Sequence, residues 1–259
     1  MPVMQLDGHA VSYQLDGNPA APCLTFSNSL GTDFSMWQGQ IALLQRDFRI
    51  LRYDTRGHGA SACHSGPVTL ELLGQDVLKL LDALAIERTH FCGLSMGGMI
   101  AQWLAIHAPQ RLDRLVLANT AARIGQQQAW LERAALVRAG GLNAVADGAA
   151  GRWFTPAFAQ RAPQRVAALV AGLRHANAEG YAACCEALAA ADLRGRIADI
   201  KLASLLIAGE SDPVTTTADA RAMQQSIAGA ELVTLPASHI SNIEAETAFN
   251  QALREFLLR

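Results

Sequence analysis

Five residues constrain this chain more than any others. Gly93-Leu94-Ser95-Met96-Gly97 fits the pattern G-x-S-x-G. Before it, Thr89-His90-Phe91-Cys92 reads as a short buried strand. After it, Gly97 to Leu104 reads as a helix running toward Pro109. A strand that turns sharply into a helix around a serine holds that residue in a strained backbone, with Oγ projecting into a cleft. Glycine is required on both sides because a Cβ there would meet the neighbouring strand and helix. The bare pattern arises by chance. The strand and helix around it make Ser95 a candidate nucleophile.

That turn needs a sheet to sit on. Val11 to Leu15 alternates and ends at Asp16-Gly17, an edge-strand or hairpin signal. Cys23–Ser27 and Phe48–Tyr53 read as strands, with a helix from Met36 to Gln45 between them. A longer helix spans Leu70 to Leu84, its apolar positions recurring at three and four. Strand Leu112–Leu117 follows the elbow helix. Alternation at this spacing predicts an α/β fold, a mostly parallel twisted sheet with helices on both faces. From Gln126 to about Ala191 the chain is Ala-rich and helical, with breaks at Gly140-Gly141, Thr155-Pro156 and Pro163. Strands return at Ser204–Ala208 and Glu231–Leu235, and a helix from about Glu244 to Leu258 closes the chain. The expected organisation is a core of residues 1–122 and 197–259, interrupted by a helical cap at 123–196.

A serine hydroxyl is a poor nucleophile until an imidazole takes its proton and a carboxylate fixes that imidazole's tautomer. On this scaffold the order along the chain is Ser, acid, His. After the Ser204–Ala208 strand comes Gly209-Glu210-Ser211-Asp212-Pro213. Asp212 is the candidate acid, with Glu210 as a rival expected to point outward. The other usual station, after the preceding strand, holds Asn119, which is no carboxylate. An N-cap role before Pro213 would be compatible with the assignment of Asp212. After the last strand, Pro236-Ala237-Ser238-His239 offers His239 as the base. His9, His64, His107 and His175 lie in surface-like stretches, His90 opens the strand at the far end from Ser95, and His58 reads as a loop brace. An oxyanion hole needs two backbone N–H groups aimed at developing charge. Met96 should supply one. The loop Asn28-Ser29-Leu30-Gly31 should supply the other, with Leu30 preferred over Ser29.

Composition excludes several classes. The chain has 259 residues, a net charge of −2 and 17% charged residues, with no basic stripe of the kind nucleic-acid binding needs. No apolar run approaches the length of a membrane span. The start of the chain lacks a basic segment followed by an apolar one. Five cysteines without metal spacing suit a reducing cytoplasm. Cys92, just before the elbow, reads as a small apolar filler.

Beyond the elbow, the chain resembles the α/β-hydrolase superfamily and, within it, 3-oxoadipate enol-lactonases. Phe91–Met99, Leu115–Gly125, Tyr53–Ser61, Arg152-Trp153-Phe154-Thr155-Pro156 and Ala237–Glu244 carry the resemblance, which covers almost the whole length. Asn28-Ser29 stands where many relatives have His-Gly. The resemblance implies hydrolysis of a small enol-lactone to 3-oxoadipate in aromatic degradation, through an acyl-enzyme on Ser95, with no metal or cofactor. It also implies a free substrate carboxylate, hence a cation in the pocket. Arg133, Arg138, Arg152, Arg161, Arg165 and Arg174 are available, and Arg138 and Arg152, near Trp130 and Trp153, are the expected pair. Another serine hydrolase on the same fold is the alternative: a carboxylesterase, a carbon–carbon hydrolase of meta-cleavage products or a perhydrolase. A ligand-binding protein without catalysis is a third reading.

Overall fold

The computed structural model describes residues 2–6, 8–63 and 66–259. Among these, eight strands form one sheet in the order β1-β2-β4-β3-β5-β6-β7-β8. Strand β1 (Val3–Leu6) and β2 (His9–Asp16) make a hairpin, and β2 also runs antiparallel to β4 (Arg49–Tyr53). The remaining pairs, through β3 (Cys23–Ser27), β5 (Thr89–Leu94), β6 (Leu112–Ala118), β7 (Ser204–Gly209) and β8 (Glu231–Leu235), are parallel. The Val11–Leu15 segment is therefore a hairpin arm inside the sheet. The edge belongs to β1, whose four residues carry too little pattern to read from sequence.

Strands β3, β5 and β7 are buried along their full length. Continuous rather than alternating apolar sequence is what a parallel strand covered on both faces requires. Helices α1 (Gln38–Leu44), α2 (Leu70–Ala83) and α3 (Met96–His107) follow β3, β4 and β5. In α2, Thr69 caps the start by accepting from the Leu72 N–H at 3.1 Å, and Leu70, Leu73, Val77, Leu80 and Leu81 form its buried stripe.

Between β6 and β7 the chain runs through α4 (Gln127–Gly140), α5 (Asn143–Asp147), α6 (Ala149–Trp153), α7 (Pro156–Arg161), α8 (Pro163–Arg174) and α9 (Ala178–Ala190). Helices end or begin at each expected break: α4 stops at Gly140, and α7 and α8 open on prolines. Prolines fit there because the first-turn N–H has no helical partner. Leu193 N donates to Ala122 O at 2.8 Å, so the segment leaves and re-enters the sheet at one place. Helix α10 (Thr217–Ser226) precedes β8. The closing helix is broken: α11 (Ser241–Glu244) is separated from α12 (Glu246–Leu257) at Ala245.

Candidate active site

Ser95 sits between β5 and α3 with φ 58° and ψ −115°, a backbone that a non-glycine residue holds only when its surroundings impose it. The surroundings do so. Ser95 N donates to Ala118 O at 3.0 Å, and Thr120 Oγ1 donates to Ser95 O at 2.8 Å. A Cβ at Gly93 would lie 2.1 Å from Gly97 O, and one at Gly97 would lie 2.2 Å from Ser27 O. The glycines thus let the elbow press against β3.

Asp212 and His239 meet at the ends of β7 and β8. His239 Nδ1 lies 2.8 Å from Asp212 Oδ2, and both residues are buried. A Cβ at Gly209 would fall 2.3 Å from Ser238 O, so the loops carrying acid and imidazole touch. Asp212 Oδ1 accepts from the N–H groups of Val214 (2.7 Å) and Thr215 (3.1 Å). Oδ2 also accepts from Thr215 Oγ1 (2.8 Å) and Asn119 Nδ2 (2.9 Å). Burial alone would raise this carboxyl's pKa. The hydrogen bond and charge of His239, with the amide donors, overcome it and hold the group below its ordinary value. Glu210 is exposed.

Asn119 has a role that its lack of a carboxylate hid. It sits at φ 43° after β6, donates to Asp212 and to Ser238 O (3.2 Å), and accepts from Ser241 Oγ. One amide joins the acid loop to the histidine loop.

Met96 is the first residue of α3, where backbone N–H groups lack helical acceptors and the helix dipole is positive. In the β3 loop, Ser29 N points to Met36 Sδ at 3.5 Å. Among the described residues, Leu30 N has no such acceptor. Ser29 and Leu30 both face the cavity that holds Ser95 and His239.

That cavity, about 260 Å³, is closed on its far side by the helical segment: Trp130, Arg133, Arg152, Trp153, Leu173 and Tyr181. A larger one of about 830 Å³ shares Leu173 with it but contains neither Ser95 nor His239. Arg152 faces the smaller cavity as expected, with Trp130 and Trp153. Arg138 does not. It is exposed and tied to Glu179 (2.8 Å) and Glu186 on the outer surface. Arg133 takes its place, stacked over Trp130 at 4.9 Å. Among the described residues neither Arg133 nor Arg152 has a carboxylate partner. Arg152 donates instead to Val145 O at 2.6 Å, and burial, then the charge of Arg133, pulls its pKa down. Two guanidinium groups without a carboxylate partner, facing one small cavity, have the charge and the donors to pair with an anion.

The remaining histidines lie elsewhere. His107 and His175 are exposed, His58 Nδ1 braces Arg56 O at 3.2 Å, and His90 is the second residue of β5, at the end away from Ser95. His9 is buried, against expectation, because it packs beside the Arg56–Asp76 ion pair, its Nδ1 3.2 Å from Arg56 Nη2. His64 lies outside the described residues. Cys92 is fully buried.

A parallel sheet, a serine elbow and an Asp–His pair at the strand ends define a hydrolase. The α/β hydrolase fold model matches residues 25–246, and the chain belongs to that family. Among curated relatives, 3-oxoadipate enol-lactonase 2 of Acinetobacter baylyi is 50% identical over 250 residues, 96% of this chain and 94% of the relative. Enol-lactonase 1 of the same organism is 44% identical over the same shares. Among solved structures, the enol-lactonase from Burkholderia xenovorans superposes with a TM-score of 0.98 at 46% identity, covering all of both chains.

Proposed function

We propose that this chain is a 3-oxoadipate enol-lactonase and that Ser95, His239 and Asp212 carry the reaction. The observation that carries the reading is the pair of guanidinium groups of Arg133 and Arg152 opposite Ser95, in a chain half identical to an enol-lactonase over nearly its full length. The lactone's free carboxylate seats on the two arginines, which brings its ring carbonyl over Ser95. Ser95 Oγ attacks that carbonyl while His239 Nε2 takes its proton. The tetrahedral oxyanion lies against the amides of Met96 and Leu30. Losing one such donor typically costs about 2.7–4 kcal/mol in the transition state. Collapse breaks the ring C–O bond. The leaving enolate takes the proton from His239 and tautomerises to the ketone. Water, deprotonated by His239, then attacks the acyl-enzyme and releases 3-oxoadipate with Ser95 restored.

Asp212 stays ionised throughout and stabilises the imidazolium. Residues 123–196 act as the cap that selects the substrate, and residues 1–122 and 197–259 form the catalytic core. The enzyme works in the cytoplasm, where its five free cysteines stay reduced. No helix among the described residues is long and apolar enough to cross a membrane.

Each turnover opens one ring and liberates one new carboxylic acid. A pH-stat assay with the enol-lactone should therefore record one proton per substrate consumed. It should record none above background with Ser95→Ala. Wild-type protein that leaves the lactone intact would refute the assignment.

A further inference from the structure

The loop that carries His239 is bonded to the cap at several points, all within one stretch of four cap residues. Ile240 N donates to Trp153 O at 3.0 Å, and the Ser238 hydroxyl lies between two acceptors, Arg152 O at 3.4 Å and Ser211 O at 3.3 Å. Glu244, the last residue of α11, is buried. Its Oε2 accepts from Ser238 N at 2.9 Å. The same carboxylate accepts from Thr155 N, 3.2 Å from each oxygen, and from Thr155 Oγ1. Among the described residues no cation neutralises it. A buried carboxylate held only by N–H and O–H donors is costly unless every donor is in place. Its geometry is also demanding: both oxygens must accept, because both sides present donors. Glutamine satisfies it less well: its NH₂ could donate to Thr155 Oγ1, but at either oxygen's place it would face the Thr155 N–H.

We propose that Glu244 is a positioning residue that couples the cap segment Arg152–Thr155 to the His239 loop, so that seating the substrate carboxylate on Arg152 also aligns the imidazole. The proposal rests on the enol-lactonase reading for the carboxylate and adds a pathway by which it is felt. Residues 152 and 153 line the cavity, while their carbonyls and the next side chain but one, Thr155, hold residues 238 and 240 on either side of His239. A movement of Arg152 toward an anion is transmitted through these backbone-anchored bonds rather than through solvent. A neutral substrate exerts no such pull.

The test compares the enol-lactone with its methyl ester, which lacks the charge, in wild type, Glu244→Gln, Thr155→Val and Thr155→Ser. Wild type should prefer the charged lactone. Glu244→Gln and Thr155→Val should each cut that preference about tenfold, chiefly through kcat, as expected when a base is slightly misaligned. Thr155→Ser, which keeps the hydroxyl, should restore it. Thermal melts identify any variant that is unfolded, and Thr155→Val covers the case in which Glu244→Gln is. Adding Glu244→Gln to Arg152→Ala should cause no further loss of preference. Equal losses on both substrates, or losses that multiply in the double variant, overturn the coupling. A wild type active on neither substrate overturns the enol-lactonase reading, and the coupling with it.

Discussion

The two walls of the catalytic cavity are built on opposite principles. On the sheet side the acid and the elbow backbone are held in place: Asp212 receives five hydrogen bonds, and Ser95 N and O bond to Ala118 at the end of β6 and to Thr120 just beyond it. On the cap side two arginines face the cavity without a carboxylate partner among the described residues. The sheet wall is complete before substrate arrives, so its dipoles need no reorganisation during reaction. The cap wall leaves two guanidinium groups for an anion to pair with. On the proposed mechanism, chemistry resides in the preorganised half and selectivity in the half that awaits the substrate carboxylate.

Substitutions can break this division. Ser95→Ala should have the largest effect, on the order of a millionfold in kcat, as for nucleophile removal in another serine hydrolase. Its far-UV circular dichroism should match wild type. On the cap side, Arg133→Ala combined with Arg152→Ala should lower kcat/KM for the lactone about a hundredfold or more, since each charged hydrogen bond contributes about 1.5–3 kcal/mol. The methyl ester should be nearly unaffected. If both substrates lose equally, the cap wall does not select by charge.

Asn119→Ala should reduce kcat about tenfold by removing one donor from a carboxylate. An unchanged kcat would mean that Asn119 is only a spacer. Arg138→Ala should change kcat/KM by less than about twofold, because exposed ion pairs contribute little.

The smallest effect separates the two walls by stability. Burial lowers the pKa values of His9, His58 and His90, all in the core, whereas His175 in the cap is exposed. The unfolded chain binds protons at these histidines near pH 6.5 and the folded chain does not. Stability is therefore full above that pH and declines as pH falls below it. Asp54, raised by burial to about 6, opposes the trend at lower pH. The melting temperature should fall by at most a few degrees between pH 7 and 6. His58→Asn should flatten that slope.

The elbow, Asp212 and His239 were legible in the sequence because each follows a recognisable strand, and the fold fixes which strand end each occupies. Of the two arginines that face the cavity, Arg152 was expected and Arg133 was not. In α4, Trp130, Ala134 and Val137 form the buried stripe. Arg133 and Arg138 flank that stripe about 140° apart at 3.6 residues per turn. Periodicity finds the stripe but cannot tell which flank faces the cavity. The three-residue spacing of Trp130 and Arg133, which lets the guanidinium stack on the ring, was the usable signal. Asn119 and Glu244 were hidden for a different reason. Their partners lie 93 and 89 residues away, and only the packed sheet brings them together.

The division between walls is tested most directly by wild-type kcat/KM on the enol-lactone against its methyl ester. Two charged hydrogen bonds from the arginines predict a preference for the free carboxylate of about a hundredfold or more. Equal rates on the two substrates would contradict the account.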